Sequence, residues 1–267
     1  MFNLRLTTIF ISALLLSCSP EPVSLEVSPE PAAVSGLNGL VDETQRFNDW
    51  LDEEWEEQLR FSPQTQTSLG LKTDYNRLDD YTLAAQDAEI GWLRESVAEM
   101  ESEFNYQTLS DEGKLSWDMW KDSLTVAEEG IPFRNHQYLF GRGGIHARLP
   151  NFLINLHSVE TLADMEAYIA RLKEIDRVLN EVLLKAQQNA NEGKRPPGFA
   201  YDFAIAEIDR IIEGAPFNAT DTSPNSPLWI DTREKIDSLE ANGLIDPEAA
   251  ERLESDAREV LTEEVLQ

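Results

Sequence analysis

From Asp42 onward, apolar residues recur at intervals of three and four, the spacing that lines one face of an α-helix. The longest run is Thr161 to Asn191, in which Leu162, Met165, Ile169, Leu172, Ile175, Leu179, Val182 and Ala186 keep that step. Thr161 offers a hydroxyl to cap the first turn, and Gly193 suits a left-handed stop. At 1.5 Å rise per residue the helix would run ~45 Å. Leu83 to Glu103 shows Ile90, Leu93, Val97, Met100 and the adjoining Phe104 at the same step, behind the cap Thr82. Glu43 to Arg60 places Phe47, Leu51, Trp55 and Leu59 four apart. Asp111 to Glu128 follows the cap Ser110 and carries Leu115, Met119, Trp120 and Val126. Residues 200–213 put Tyr201, Ile205, Ile208 and Ile212 on one stripe before Gly214.

Three more helix starts are marked by a capping residue followed by proline at the first helical position: Ser62-Pro63, Ser226-Pro227 and Asp246-Pro247. Only Ile131 to Phe140 is rich in β-formers, enough for a short extended piece and not for a strand ladder. The pattern therefore predicts an all-α fold, a multi-helix array of long amphipathic helices. The last helix, Asp246 to Gln267, turns Leu253, Ala257, Val260, Leu261 and Val265 inward and meets no glycine, proline or basic last turn. The expectation is an apolar seam left for further polypeptide, which would make the array incomplete at its C-terminus. A frayed true end is the alternative.

The N-terminus changes the picture of where the helices sit. Residues 1–17 carry one charge, Arg5, and then an apolar run from Leu6 to Leu16 that is too short for an ordinary membrane span. It ends in Leu15-Leu16-Ser17-Cys18, and Cys18 is the only cysteine. This layout resembles the bacterial lipoprotein signal, in which the cysteine is acylated and becomes the new N-terminus. A plain signal peptide with an incidental cysteine is the alternative. Residues 1–18 are thus a lipoprotein signal with acylated Cys18, and more than one acyl chain would hold the membrane stably. Ser19 after the cysteine resembles the signal for transfer to an outer membrane facing the periplasm. Residues 19–41 begin with a proline-dense stretch in which Ser-Pro-Glu-Pro occurs at 19–22 and 28–31, a tether that favours extended chain. Residues 42–267 are the helical part. No second cysteine exists to form a disulfide, so stability must come from packing.

Charge excludes some partners. The chain has 22 basic and 50 acidic residues, and removing residues 1–17 takes away Arg5 alone, leaving 21 against 50 and a net charge near −29. Such a surface repels nucleic-acid phosphates and anionic head groups, so nucleic acid is excluded and the membrane is met only through the lipid anchor.

Candidate chemistry is sparse. His-Glu-x-x-His, Gly-x-Ser-x-Gly, phosphate-binding glycine loops and dinucleotide fingerprints are all absent. His136, His146 and His157 lie ten and eleven residues apart, which does not fit metal ligation from one helix. Glu53 and Glu57 are one turn apart in an acidic run that matches a solvated helix face better than an acid–base pair. Asp74, Asn76, Asp79 and Asp80 resemble calcium ligands only faintly, lacking the rest of a twelve-residue loop. The distinctive stretch is Phe140 to Pro150, with three glycines in four positions at Gly141, Gly143 and Gly144. As a functional element it would be a loop lining a cleft, with Arg142, Gly143, Gly144, His146 and Arg148 at its surface and the cations meeting an anionic group such as a peptide carboxylate. As a structural one it would be a buried connector whose arginines pair with nearby carboxylates, and composition alone favours this.

Several segments in order resemble the bacterial family known as domain of unknown function 885. They are Phe47 to Glu54, Ser62 to Gly70, Arg77 to Tyr81, Gly143 to Pro150, Phe152 to Asn155 with His157, Ala167 to Leu172, and Gly214 to Phe217. The resemblance implies a mostly helical, often lipid-anchored protein about twice this length. It also implies a zinc-metallopeptidase-like His-Glu-x-x-x-Gly-His-His helix in a second half. None of those ligands maps onto a residue here, so the resemblance implies no catalytic residue, metal ligand or zinc in this chain. Two assignments follow as expectations. One is the N-terminal helical half of such a peptidase-like lipoprotein, forming part of a cleft for a peptide substrate and inactive alone. The other is a short, non-enzymatic helical lipoprotein serving as a binding or scaffold module.

Overall fold

The computed structural model describes residues 33–218 and 225–265, with side chains from Glu43 onward. The signal with Cys18, residues 19–32 of the tether and the last two residues lie outside the described residues. Among the described residues the chain forms nine α-helices and no strand. They are α1 (Ala33–Leu59), α2 (Pro63–Ser68), α3 (Leu83–Glu103), α4 (Asp111–Gly130), α5 (Ile145–Leu156), α6 (Leu162–Asn191), α7 (Gly198–Ile212), α8 (Pro227–Ala241) and α9 (Pro247–Val260). The all-α expectation holds. None of these helices is long and apolar enough to cross a membrane.

The starts follow local chemistry. Thr161 and Asp164 form a reciprocal capping box at α6, each side chain accepting from the other's backbone N–H. Thr82, Ser110 and Asp246 accept from the first-turn amides of α3, α4 and α9. Proline occupies the first turn at α2, α8 and α9, but only Asp246 caps with its side chain. Ser62 instead bonds Thr65 Oγ1 at 2.7 Å, and Ser226 donates to the Ile211 carbonyl at 2.6 Å. Gly193, at φ +80°, provides the left-handed stop after α6.

Four expectations are corrected. Helix α1 begins at Ala33, inside the stretch read as tether, because no proline falls between Pro31 and Pro63 to interrupt a helix there. Ile131–Phe133 is a 3-10 turn and not an extended piece. His146 and Arg148 stand in the first turn of α5 rather than in a loop. The C-terminal seam is covered within the chain: Leu253, Ala257 and Leu261 are each 0% exposed, buried against α6 and α8. After Val260 the helix widens into a π turn over Leu261–Val265.

The helices enclose two cores. Around α1, α3 and α4 the first is aromatic: Phe47 meets Phe104 edge-on at 5.1 Å and Trp117 at 5.8 Å, with Trp50, Met100 and Leu109 filling in. The second is built by α5, α6, α8 and α9 from Leu149, Leu153, Met165, Leu172, Trp229 and Leu253. Helix α2 and the segment 69–82 join them. Arg177 of α6 holds that segment, pairing with Glu174 and Glu181 and donating to the Leu78 and Asp79 carbonyls at 3.4 Å.

Candidate functional site

The glycine-rich turn leads into α5. Gly143 lies at φ +68°, a conformation that L side chains rarely adopt. At Gly144 the constraint is contact: a Cβ there would stand 2.7 Å from His146 Cε1 and 2.9 Å from the Leu139 carbonyl oxygen. That close approach tucks the imidazole under the turn, where His146 is only 5% exposed and stacks on Phe140 at 6.0 Å. Glu207, on α7, accepts from the Gly143 amide at 3.1 Å and lies 3.0 Å from His146 Nε2. In the neutral ring Nε2 therefore carries the hydrogen, and Nδ1 is buried without a hydrogen-bond partner. One carboxylate thus ties the turn, α5 and α7 together.

In front of the turn lies a cavity of about 670 Å³. Arg142, Arg148 and Lys185 line it as cations, and Phe140, Val182 and Phe199 are among its apolar walls. Among the described residues no carboxylate pairs with any of the three cations. Arg142 and Arg148 are exposed and Lys185 is half-buried, in a chain where carboxylates outnumber basic groups by more than two to one. Burial, with the charge of Arg134 adding, holds the Lys185 ammonium below its ordinary pKa. The Arg148 charge reaches the phenol of Tyr81, which lines the same cavity.

The structure therefore gathers four of the five residues expected at a cleft. Arg142, Gly143, Gly144 and Arg148 face the cavity; His146 does not. Its ring borders a separate apolar groove of about 290 Å³ with Leu179, Ile208, Ile211 and Val265. Lys185 was missed by the sequence pattern, although its spacing of three from Val182 places it on an inward face of α6.

A second buried polar cluster also went unforeseen. Arg171 is 0% exposed on α6, yet no carboxylate of the described residues touches it. Its guanidinium donates to the Arg77 carbonyl at 2.8 Å, Thr67 Oγ1 at 2.7 Å, His157 Nδ1 at 2.9 Å and the Pro63 and Asp74 carbonyls at 3.3 Å. A guanidinium only donates, so His157 accepts at Nδ1 and donates from Nε2 to the Asp164 carbonyl at 3.0 Å. Burial, reinforced by the Arg171 charge, pulls the His157 pKa down to about 4. Burial also lowers Arg171, to about 10, which leaves it charged at neutral pH.

Both ring nitrogens of His157 are engaged, His146 Nε2 is held by Glu207, and no group of three or more ligating side chains assembles among the described residues. Asp74 accepts from the Gln66 amide, Asp79 from the Gln64 backbone and Asp80 from Thr82, so the acidic segment serves its own turns. The described residues do not fit a zinc site. Glu57 pairs with Arg60 on the surface of α1, and Glu53 is exposed.

Comparison with known proteins places the chain. The model of a bacterial protein family of unknown function, DUF885, matches residues 63–267. No functionally curated protein matches. Among solved structures, the "putative lipoprotein" from Colwellia psychrerythraea superposes with a TM-score of 0.56 at 13% identity, covering 86% of this chain and 39% of that one. At that identity the likeness speaks for the fold alone, and the sequence spans well under two thirds of the neighbour's length. With the family model matching about three quarters of its residues, the chain belongs to the DUF885 family of bacterial proteins.

Proposed function

We propose that this chain is the N-terminal helical part of a longer cell-envelope lipoprotein of zinc-metallopeptidase-like type, in which it forms one wall of a substrate cleft. The zinc-bearing half lies in polypeptide beyond these residues, and peptides are the substrate class. The chain is anchored through Cys18, at an outer membrane facing the periplasm. The observation that carries this is the open cationic cavity beside α7, a helix with only Ala204 buried. Phe199 and Ile205 of α7 are 63% and 57% exposed, apolar surface of the kind that another part of a protein covers. The structural neighbour supports this, because most of its length has no counterpart here. Its description as a lipoprotein agrees with the Leu-Leu-Ser-Cys motif at 15–18.

A second assignment, a short non-enzymatic helical module on the same anchor, is favoured by the closure of the Leu253, Ala257 and Leu261 stripe within the chain. Reading the DNA after the Gln267 codon separates the two. An in-frame continuation carrying a His-Glu-x-x-x-Gly-His-His helix supports the first, and an immediate stop codon supports the second. Stoichiometric zinc on the 267-residue chain alone would contradict both.

A further inference from the structure

We infer that the cavity beneath the glycine-rich turn binds the free carboxylate of an apolar peptide C-terminus, clamped by Arg142, Arg148 and Lys185. The inference rests on the cleft-wall assignment only for the peptide nature of the ligand. The charge requirement comes from the cavity itself. Three cations line it with no carboxylate partner among the described residues of a strongly acidic chain, and a bound anion would supply the opposite charge. The depressed Lys185 pKa agrees, because an arriving carboxylate offsets the burial that disfavours its charged form.

Shape selects the rest of the ligand. The volume, about 670 Å³, lies within the range of roughly 300–1,000 Å³ usual for small-ligand sites, well beyond a bare inorganic anion. Phe140, Val182 and Phe199 offer apolar and aromatic contact for a side chain, while Gln86 and Gln137 present amides to a peptide backbone. A carboxylate on an apolar body satisfies both parts of the lining. Phosphate satisfies only the charge.

Isothermal titration of the 267-residue chain with N-acetyl-Ala-Ala-Phe, its C-terminal amide and inorganic phosphate tests the assignment without metal or turnover. The free acid is expected to bind at least ten-fold more tightly than the amide or phosphate. Arg148→Gln and Lys185→Met should each weaken the acid by about ten-fold, with melting temperatures unchanged. Arg233→Gln, the same loss of charge at an exposed position of α8, should change it less than two-fold. Equal binding of acid and amide, phosphate binding as tightly as the acid, no binding of the acid at millimolar concentration, or an equal loss in Arg233→Gln would each overturn the inference. A failed carboxylate titration leaves the downstream coding sequence unchanged, so it is distinguishable from failure of the cleft-wall assignment.

Discussion

At the scale of single residues, the most constrained position is Arg171, a buried cation whose charge is spread over carbonyls, a hydroxyl and a neutral imidazole. Removing the side chain leaves those acceptors buried without donors, and each such group costs about 1–3 kcal/mol. Arg171→Met is therefore expected to lower stability by about 3 kcal/mol or more in urea unfolding. Arg171→Lys should not restore it, because one ammonium cannot reach acceptors arranged around a planar fork. His157 gives a pH signature of definite sign. Its folded pKa of about 4 lies below its ordinary value of 6.5, so the unfolded chain takes up the proton first as pH falls. The associated stability is complete above about pH 6.5 and is lost as pH drops toward 4, an effect of about 3 kcal/mol. Melting the wild type and His157→Gln across that window isolates it: the wild type should lose the extra stability and the variant should not. Gly144→Ala should push His146 off Glu207, lowering the melting temperature and loosening the start of α5.

Neither residue network was legible in the sequence, for a physical reason. A helical period reports which face is apolar, whereas Arg171 is buried on an apolar face because carbonyls from α2 and the segment 69–82 converge on it. Those partners lie 94 to 108 positions away in sequence. The glycine turn was legible as an unusual backbone, and Arg142 and Arg148 as its cations. Lys185 was not, since it arrives from α6.

Among elements, the pattern located helices well and their buried faces less well. In α9 the expected stripe is the buried one. In α4 only Trp120 of the expected stripe reaches the core: Leu115 and Met119 are 61% and 65% exposed, while Trp117 is buried in the aromatic core. Trp117, two positions from Leu115 and Met119, won the interior because a large aromatic buries more surface. Helix α7 is the extreme case, rich in apolar residues yet with only Ala204 buried. Leu253→Ala in α9 should cost about 2–5 kcal/mol in urea unfolding, and Ile205→Ser in α7 should stay within about 0.5 kcal/mol. In hydrogen exchange, α7 amides should be the least protected among α5 to α9, since few buried contacts oppose their local opening.

Over the whole molecule, an aromatic core and an aliphatic core are joined through α2 and the 69–82 segment, with the cationic cavity at the side where α7 leaves its apolar face uncovered. That asymmetry is what a helical wall awaiting a second structural unit would present. Along α9, which the sequence pattern marked as the unfinished edge, Leu253, Ala257 and Leu261 are buried and Val260 and Val265 half-buried, and much of the exposed apolar surface lies on α7. The most direct test is the intact mass and metal content of the native protein extracted from cell envelopes. The account predicts an acylated chain far heavier than the 30.2 kDa of these residues, carrying one zinc. An acylated, metal-free chain ending at Gln267 would contradict it.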